Sequence, residues 1–176
     1  GSFDYVICHG VFSWVPPAVQ EAILGLIGQC LSDNGVAAVS YNVSPGWHLR
    51  NPVREFIRYY AGTDGTPPER VERARSALAA LGKRTGPGAY GALMRAEAEL
   101  LEKIPSSYIL GEFLAEHNRP VQFLDFTDAA AAHGLEYIGE ADLDADARSA
   151  LTSEGLRHVD QLSEIDRGRA AQELDF

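Results

Sequence analysis

The chain has 176 residues, 45% of them hydrophobic and 23% charged, which is typical of a globular protein with a sizeable core. No apolar stretch approaches the roughly 18 residues that a membrane span requires. Asp and Glu outnumber Lys and Arg by 25 to 15, and the resulting net charge of −10 disfavours binding to nucleic-acid phosphates. Because Cys8 and Cys30 form no CxxC and the five histidines lack ligand spacing, we expect reduced thiols, no structural metal and a cytoplasmic location.

The first 41 residues predict a strand, a helix and a second strand. Residues 3–8 (FDYVIC) form a short run of aromatic and β-branched side chains, and Pro16-Pro17 suits the first turn of a helix. Asp33-Asn34-Gly35 is typical of a left-handed cap that ends this helix, and residues 36–41 (VAAVSY) indicate a buried strand. This order predicts a βαβ unit of a parallel sheet. The predicted apolar face of the helix consists of Val19, Ile23, Leu26, Ile27, Cys30 and Leu31.

The following segment is predicted to be helical up to about residue 118. Helical periodicity covers residues 52–60, 69–81 and 90–104, and a shorter apolar group lies near residues 109–114. We expect three packed helices between about 67 and 118, with Leu78, Leu93, Leu100, Phe113 and Leu114 buried. Beyond them the sequence predicts a short alanine helix closed by Gly134, a strand over residues 135–141 in or beside the first sheet, and a helical tail.

The candidate functional residues follow the two predicted strands. Ligands of doubly wound sheets bind at the carboxyl ends of the strands, where His9-Gly10 and Tyr41-Asn42 are expected to share a crevice. Phe12 and Trp14 would add flat apolar walls. The alternative is that His9 and Asn42 only cap strand ends and the aromatic side chains belong to the core. The chain lacks the GxSxG, P-loop and GxGxxG motifs, so a hydrolase elbow or a phosphate cradle has no support.

These residues also resemble a known family. Residues 3–16 (FDYVICHGVFSWVP) are similar to the fourth-strand motif of class I S-adenosylmethionine-dependent methyltransferases of the subgroup that carries a methyltransferase regulatory domain. Residues 31–42 resemble the family's turn into strand five, and residues 44–48 (SPGWH) continue the match. Residues 107–126 resemble its regulatory segment, although Gly111 stands where a His is expected.

The resemblance implies an α/β fold with a partial Rossmann-like sheet of strands four to six and a largely helical inserted regulatory segment. The implied boundaries are a core half over residues 1–50, a helical regulatory insertion over 51–125, and a return to the core with a helical tail over 126–176. It also implies a carboxy-terminal fragment, because the acidic residue, the Gly-rich loop and the first three strands of the family would precede residue 1.

The implied activity is methyl transfer from S-adenosylmethionine to an amine or hydroxyl of a protein or small molecule by the intact parent. The fragment alone is expected to be inactive and not to bind the cofactor tightly. His9 or Tyr41 would accept a proton, and the backbone of His9, Gly10 and Val11 would touch the cofactor. The residues implied in substrate binding are Phe12, Trp14, Asn42 and Trp47. The competing interpretation is a non-catalytic regulatory or dimerisation module, with a homodimer among the expected arrangements.

Overall fold

The computed structural model describes residues 2–139 and 151–174 of a mixed α/β chain that is mostly helical. The chain divides into two compact units. One comprises residues 1–47 and 119–176, and the other comprises residues 48–118. Each unit has a hydrophobic core of its own.

The first unit begins with the expected βαβ unit. Strand β1 (Phe3–Cys8) and strand β2 (Leu31–Val39) are connected by helix α1 (Pro17–Cys30). The two strands pair in parallel, with Tyr5 opposite Val36 and Cys8 opposite Val39. The predicted parallel pairing is therefore confirmed, and the two strands end side by side at their carboxyl edge.

The predicted end of helix α1 is wrong. The helix stops at Cys30, because Leu31 is already extended (φ −73°, ψ 138°) and pairs with Phe3 as the first residue of β2. Gly35 lies within that strand and does not have a positive φ, so it is not a left-handed cap. A Cβ at Gly35 would lie 2.8 Å from the Leu31 side chain and 2.9 Å from the Phe3 carbonyl oxygen. Glycine fits this position because a side chain would collide with Leu31 and Phe3, and not because a helix ends here.

The core face of helix α1 also differs from the prediction. Leu24 and Ile27 are buried, as is Gln20, whereas Val19 and Leu26 are 42% and 61% exposed. Gln20, Leu24 and Ile27 follow one another at spacings of four and three residues, which places them on a single helical face. Helix α1 has apolar residues nearly all round, so periodicity alone did not identify the side that faces the core.

Three more helices complete the described part of the first unit. Helix α6 (Phe123–Ala131) is followed after the undescribed stretch by α7 (Ser153–Ile165) and α8 (Arg167–Glu173). The strand predicted over residues 135–141 is not observed over 135–139, and residues 140 and 141 lie outside the described part. Leu135 instead donates its N–H to the Ala130 carbonyl at the end of α6, and Ile138 is 76% exposed. A strand needs a neighbouring backbone ladder, which residues 135–139 do not have in the described structure.

The second unit is helical, as predicted. Helices α2 (Asn51–Ala61), α3 (Pro67–Arg84) and α4 (Ala89–Lys103) are followed by the short α5 (Ser106–Tyr108), which continues into a π-helical turn at Ile109–Phe113. These elements enclose one apolar core. Its buried members are Val53, Ile57, Ala61, Val71, Ala74, Leu78, Met94, Leu101, Ile109, Phe113 and Leu114.

Two predicted core positions of helix α4 are wrong. Leu93 packs at the margin of the core and Leu100 is only half-buried, whereas Met94 and Leu101 are fully buried. The buried face of α4 also contains Glu97, which is 8% exposed and forms an ion pair with Arg50 (Oε1–Nε 3.2 Å). Helical spacing put both members of each neighbouring pair, Leu93 with Met94 and Leu100 with Leu101, on one apolar stripe, and only the tertiary structure shows that Met94 and Leu101 are the fully buried members.

Within residues 2–139 and 151–174, no helix combines the length and apolar character needed to cross a membrane. In the same part of the chain, no three His, Cys, Asp or Glu side chains cluster closely enough to hold a metal ion. Cys8 and Cys30 are both free thiols, and partial burial raises the pKa of Cys8.

Candidate functional site

The ends of the two strands are joined by side-chain hydrogen bonds. Beyond β1 the chain turns at Gly10, whose φ of +67° lies in the left-handed region that favours glycine. The N–H of Gly10 donates to Ser40 Oγ at 2.9 Å, and the N–H of Ser40 donates to the Cys8 carbonyl at 3.0 Å. The turn after β1 is thus held against the first residue after β2, at the sheet edge where the sequence predicted a crevice.

His9 lies within this arrangement as an exposed side chain. Its Nδ1 is 2.9 Å from Ser40 Oγ, the same oxygen that accepts from Gly10. In the tautomer whose Nδ1–H donates to Ser40, His9 Nε2 carries the free lone pair that a general base requires. Ser40 therefore orients the imidazole, and the geometry is compatible with the proton-accepting role predicted for His9.

The segment after β2 is tied to the first unit through Ser13. The Ser13 side chain is fully buried, and its Oγ accepts the Asn42 N–H at 2.7 Å. The Ser13 carbonyl accepts the Arg119 N–H at 2.8 Å, and the Asn42 carbonyl accepts the Val121 N–H at 2.9 Å. The two loops that follow the strands are thereby held together along with the chain entering α6.

Three aromatic rings pack beside this junction. The Phe12 ring meets Phe126 edge-on at 5.4 Å between centroids, and Tyr41 lies 4.5 Å from Phe126. Phe12 is only 3% exposed, and Gln20 Nε2 donates to its carbonyl at 2.7 Å. Tyr41 is half-buried at the edge of this cluster. Phe12 is thus part of the core, while Tyr41 retains an accessible part.

The remaining predicted residues lie in the same unit with different degrees of exposure. Val11 is 41% exposed, Asn42 and Trp14 are half-buried, and Trp47 is buried, with only 9% of its surface exposed. The indole Nε1 of Trp14 is buried with no hydrogen-bond partner among the described residues. The structure brings His9, Gly10, Tyr41 and Asn42 to one edge through Ser13 and Ser40.

A small cavity of about 210 Å³ lies next to this edge, between the start of α1, the chain at 119–121 and α6. Phe12 and Gln20 line it together with Arg119 and Asp125. Its volume is below the roughly 300–1,000 Å³ of most small-molecule sites. Of the predicted site residues, Phe12 alone is in its lining, so this cavity by itself is not the predicted crevice.

Sequence reasoning missed Ser13, Ser40 and Phe126. Ser13 lies in no GxSxG motif, and Ser40 falls within the predicted second strand at residues 36–41. The signal for Ser40 is its position: it directly follows β2 and is the last residue before the predicted Tyr41-Asn42 pair. Phe126 lies 85 residues beyond Tyr41 in the chain, so only the tertiary structure shows their contact.

Comparison with known families and solved structures shows similarity to methyltransferases. Residues 105–176 match the family model described as "Predicted methyltransferase regulatory domain". The resemblance to methyltransferases that carry a regulatory domain, which the sequence predicts, is therefore confirmed by this match and by the structural neighbours that follow.

Two solved structures of PKMT2 from Rickettsia typhi are similar to the chain. One matches 100% of the chain with a TM-score of 0.75 and 30% sequence identity, and the chain covers 33% of it. The other is PKMT2 in complex with AdoHcy, which matches 99% of the chain with a TM-score of 0.77 and 32% identity, and of which the chain covers 32%.

Curated relatives include two uncharacterized proteins of Rickettsia prowazekii. RP028 is 36% identical over 134 residues, which are 74% of this chain and 53% of RP028. RP789 is 32% identical over 181 residues, which cover 100% of this chain and 32% of RP789. The chain therefore spans about half the length of the first relative and about a third of the second.

Proposed function

We propose that this chain takes part in methyl transfer from S-adenosylmethionine, with the carboxyl edge of β1 and β2 as part of the reaction site. The observation that carries the proposal is its similarity to PKMT2 in complex with AdoHcy, the product that remains when S-adenosylmethionine gives up its methyl group. The similarity extends over 99% of the chain, including the His9–Ser40 edge. In the proposed site the backbone of His9, Gly10 and Val11 contacts the cofactor.

The reaction requires one proton acceptor. A nucleophilic nitrogen or oxygen attacks the methyl carbon, the sulfur–methyl bond breaks in line, and the proton of the methylated group passes to a base. His9 is proposed as that base, because its Nδ1 interaction with Ser40 leaves Nε2 free for the proton. Tyr41 is the alternative acceptor at the same edge.

The methyl acceptor is proposed to be an amine or hydroxyl of a protein or small molecule. Trp14 and Asn42 are half-buried beside the edge and offer an aromatic face and an amide to such a group. Phe12 supports Tyr41 from within the core, and buried Trp47 follows in the same segment. Aromatic faces near a sulfonium or ammonium group also stabilise its positive charge.

The test is transfer of labelled methyl groups from S-adenosylmethionine by the longest natural polypeptide that contains this sequence, offered a protein fraction and a set of small amines. We expect His9→Ala to lower the rate by about 10²–10⁴-fold, the usual contribution of a general base. Tyr41→Phe should have a similar effect only if Tyr41 is the acceptor. His117→Ala, an exposed histidine of the second unit, is the control and should transfer as wild type. Full activity of both His9 and Tyr41 variants would refute the assigned roles.

A second candidate function is supported by the family match. The regulatory-domain model covers residues 105–176, and residues 48–118 form a helical unit with a core of their own. A non-catalytic module that regulates or dimerises a methyltransferase fits both observations. Absence of methyl transfer to any acceptor would favour this function over the catalytic one.

A further inference from the structure

The cationic side chains of this acidic chain are concentrated in the second unit. Ten of the 15 Lys and Arg residues lie within residues 48–118, but only nine of the 25 Asp and Glu residues do. The second unit is therefore close to neutral, while the remainder of the chain carries the negative excess. Within it, arginines occur on α2, at Arg54 and Arg58, and in the first half of α3, at Arg70, Arg73 and Arg75.

Two of these arginines converge on the segment after the π-helical turn. Arg54 and Arg58, four residues apart on α2, both donate to the Ala115 carbonyl. They also donate to the Glu116 carbonyl, at 3.3 and 3.0 Å. Burial and the neighbouring Arg58 guanidinium lower the pKa of Arg54. Carbonyl dipoles satisfy hydrogen bonds here but leave two full positive charges side by side.

A cleft of the same unit opens beside these contacts. Its volume is about 560 Å³, within the range of about 300–1,000 Å³ found for small-molecule sites. Arg58 and Arg70 line it together with two leucines, of which Leu114 is buried and Leu110 half-buried. The other lining residues are Thr63, Ala115 and Glu116. The cleft thus combines two guanidinium groups, one hydroxyl and an apolar surface.

Neither of the two guanidinium groups forms an ion pair within the part of the chain that the structure describes. Among the described residues, no carboxylate lies within 4.0 Å of a guanidinium nitrogen of Arg58 or Arg70, that of Glu116 included. Arg70 Nε donates to the Gly62 carbonyl at 3.0 Å, and its terminal amino groups make no hydrogen bond within the described chain. Arg70 is partly buried, so its charged side chain, which lines the cleft, is less hydrated than that of a fully exposed arginine.

We propose that this cleft binds a small organic anion, a phosphate or carboxylate group carried on an apolar body. A guanidinium offers N–H donors that match the oxygens of either group, and both Arg58 and Arg70 line the cleft. Leu110 and Leu114 would cover the apolar body. The site lies within the second unit and does not depend on the proposed methyl transfer.

The structural alternative is that these arginines only fasten the segment at residues 115–116 to α2. Arg58 has that role, so its replacement would not separate the two explanations. Replacement of Arg70 does separate them, because the hydrogen bond of Arg70 goes to the Gly62 carbonyl and not to that segment. Removing the Arg70 charge therefore leaves the Ala115 and Glu116 contacts in place.

The experiment is titration calorimetry of the full chain in a phosphate-free buffer of low ionic strength, with phenyl phosphate, phenylacetate and inorganic phosphate as separate probes. We expect saturable binding of phenyl phosphate, phenylacetate or both, and the stronger of the two identifies the preferred head group. Arg70→Met should weaken that binding about tenfold or more, as expected from loss of a charge-assisted hydrogen-bonding group. Arg70→Lys, which keeps the charge but loses the fork, should give an intermediate loss.

Two controls complete the test. Arg84→Met removes an exposed arginine at the end of the same helix, whose Nε donates to the Ala80 carbonyl and which does not line the cleft, so binding should be unchanged. Leu110→Ala should weaken phenyl phosphate but not inorganic phosphate. No saturable binding of any probe to the wild-type chain overturns the proposal. So does an equal loss in the Arg70→Met and Arg84→Met variants, which would indicate general surface attraction.

Discussion

At the scale of single residues, the candidate site is organised by hydroxyl groups. Ser13 is fully buried and accepts the Asn42 N–H, and Ser40 accepts the Gly10 N–H while contacting His9. A buried donor that loses its acceptor carries the full cost of its desolvation. These two serines therefore control whether the loops after β1 and β2 stay together.

Replacing Ser13 by Ala should destabilise the chain. The Asn42 N–H would be left without its partner in a partly buried place, at a cost of about 1 kcal/mol. The measurement is chemical unfolding of Ser13→Ala against Ser107→Ala, which removes an exposed hydroxyl and should leave the free energy of unfolding nearly unchanged. Equal stability of the two variants would show that the Ser13–Asn42 hydrogen bond contributes little.

Gly28 shows how closely α1 approaches the residues that follow α6. A Cβ at this position would lie 2.5 Å from the His133 carbonyl oxygen, and backbone cannot move away as a flexible side chain can. Gly28→Ala should therefore destabilise the chain by about 1–3 kcal/mol, the usual cost of overpacking, even though alanine favours helix.

The control for Gly28 is Gly86→Ala. Gly86 does not have a positive φ, and a Cβ there would meet no atom within 4 Å, so this variant should be neutral or slightly stabilising. Thermal unfolding of both variants provides the comparison. A melting temperature of Gly28→Ala equal to wild type would contradict the close approach of α1 to His133.

At the scale of elements, helix α4 shows which apolar positions support the second unit. Leu101 is 1% exposed and belongs to the buried core, whereas its neighbour Leu100 is only half-buried. Leu101→Ala should lower the free energy of unfolding by about 2–5 kcal/mol, and Leu100→Ala by clearly less. Denaturant titration of the two variants makes a matched comparison, since they differ only by one position on the same helix. A larger loss for Leu100→Ala would mean that the core face is misassigned.

The start of helix α3 predicts a pH dependence. The Thr66 backbone N–H and hydroxyl both donate to Glu69, at 2.7 and 2.8 Å, in a capping box. The Thr66 backbone hydrogen bond, followed by the side-chain one, holds the pKa of Glu69 below its usual value. Because the folded state favours the ionised Glu69 carboxylate, this carboxylate stabilises the fold at pH values above its unfolded-state pKa of about 4.3. The stabilisation is lost as the pH falls through the lowered pKa of the folded state.

Glu69→Gln should therefore melt below wild type at pH 7, with the difference shrinking as the pH falls below about 4. Thermal unfolding of both proteins across this range measures the effect. Glu72→Gln is the control, because Glu72 accepts a hydrogen bond from the Ser76 side chain further along α3 and takes no part in the capping box. A difference for Glu69→Gln that does not change with pH would exclude the capping carboxylate as its source.

At the scale of the whole molecule, we expect this 176-residue chain not to bind S-adenosylmethionine tightly. His9, Gly10 and Val11 are exposed, so a ligand that contacts them at this edge would keep much of its surface in water. Tight binding requires most of a ligand to be buried, and association must first offset several kcal/mol of lost ligand freedom. Titration calorimetry of the chain with S-adenosylmethionine should show no saturation at micromolar concentrations. Micromolar affinity would mean that these residues alone form the cofactor site.

Much of the local structure followed from the sequence. Short aromatic and β-branched runs, the proline pair before α1, and the 3.6-residue periodicity of the second unit predicted β1, the parallel pairing and the helices. These features depend on backbone preferences and on spacing within one element. The motifs of residues 3–16 and 107–126 carried the methyltransferase resemblance in the same way, because a motif is a local pattern.

The tertiary structure decided what depends on partners distant in the chain. It placed Gln20, Leu24 and Ile27 on the core face of α1, because that helix is apolar on several sides and only its neighbours distinguish them. It distinguished Leu101, which is fully buried, from its neighbour Leu100 on the same apolar stripe, and it placed Glu97, paired with Arg50, on the buried face of α4. It also joined Tyr41 to Phe126, and Arg58 to the carbonyls of residues 115–116. The sequence by itself determined most of the elements and the resemblance to methyltransferases, because both depend on local patterns, whereas packing faces and clefts arise only when distant segments bury each other's surfaces.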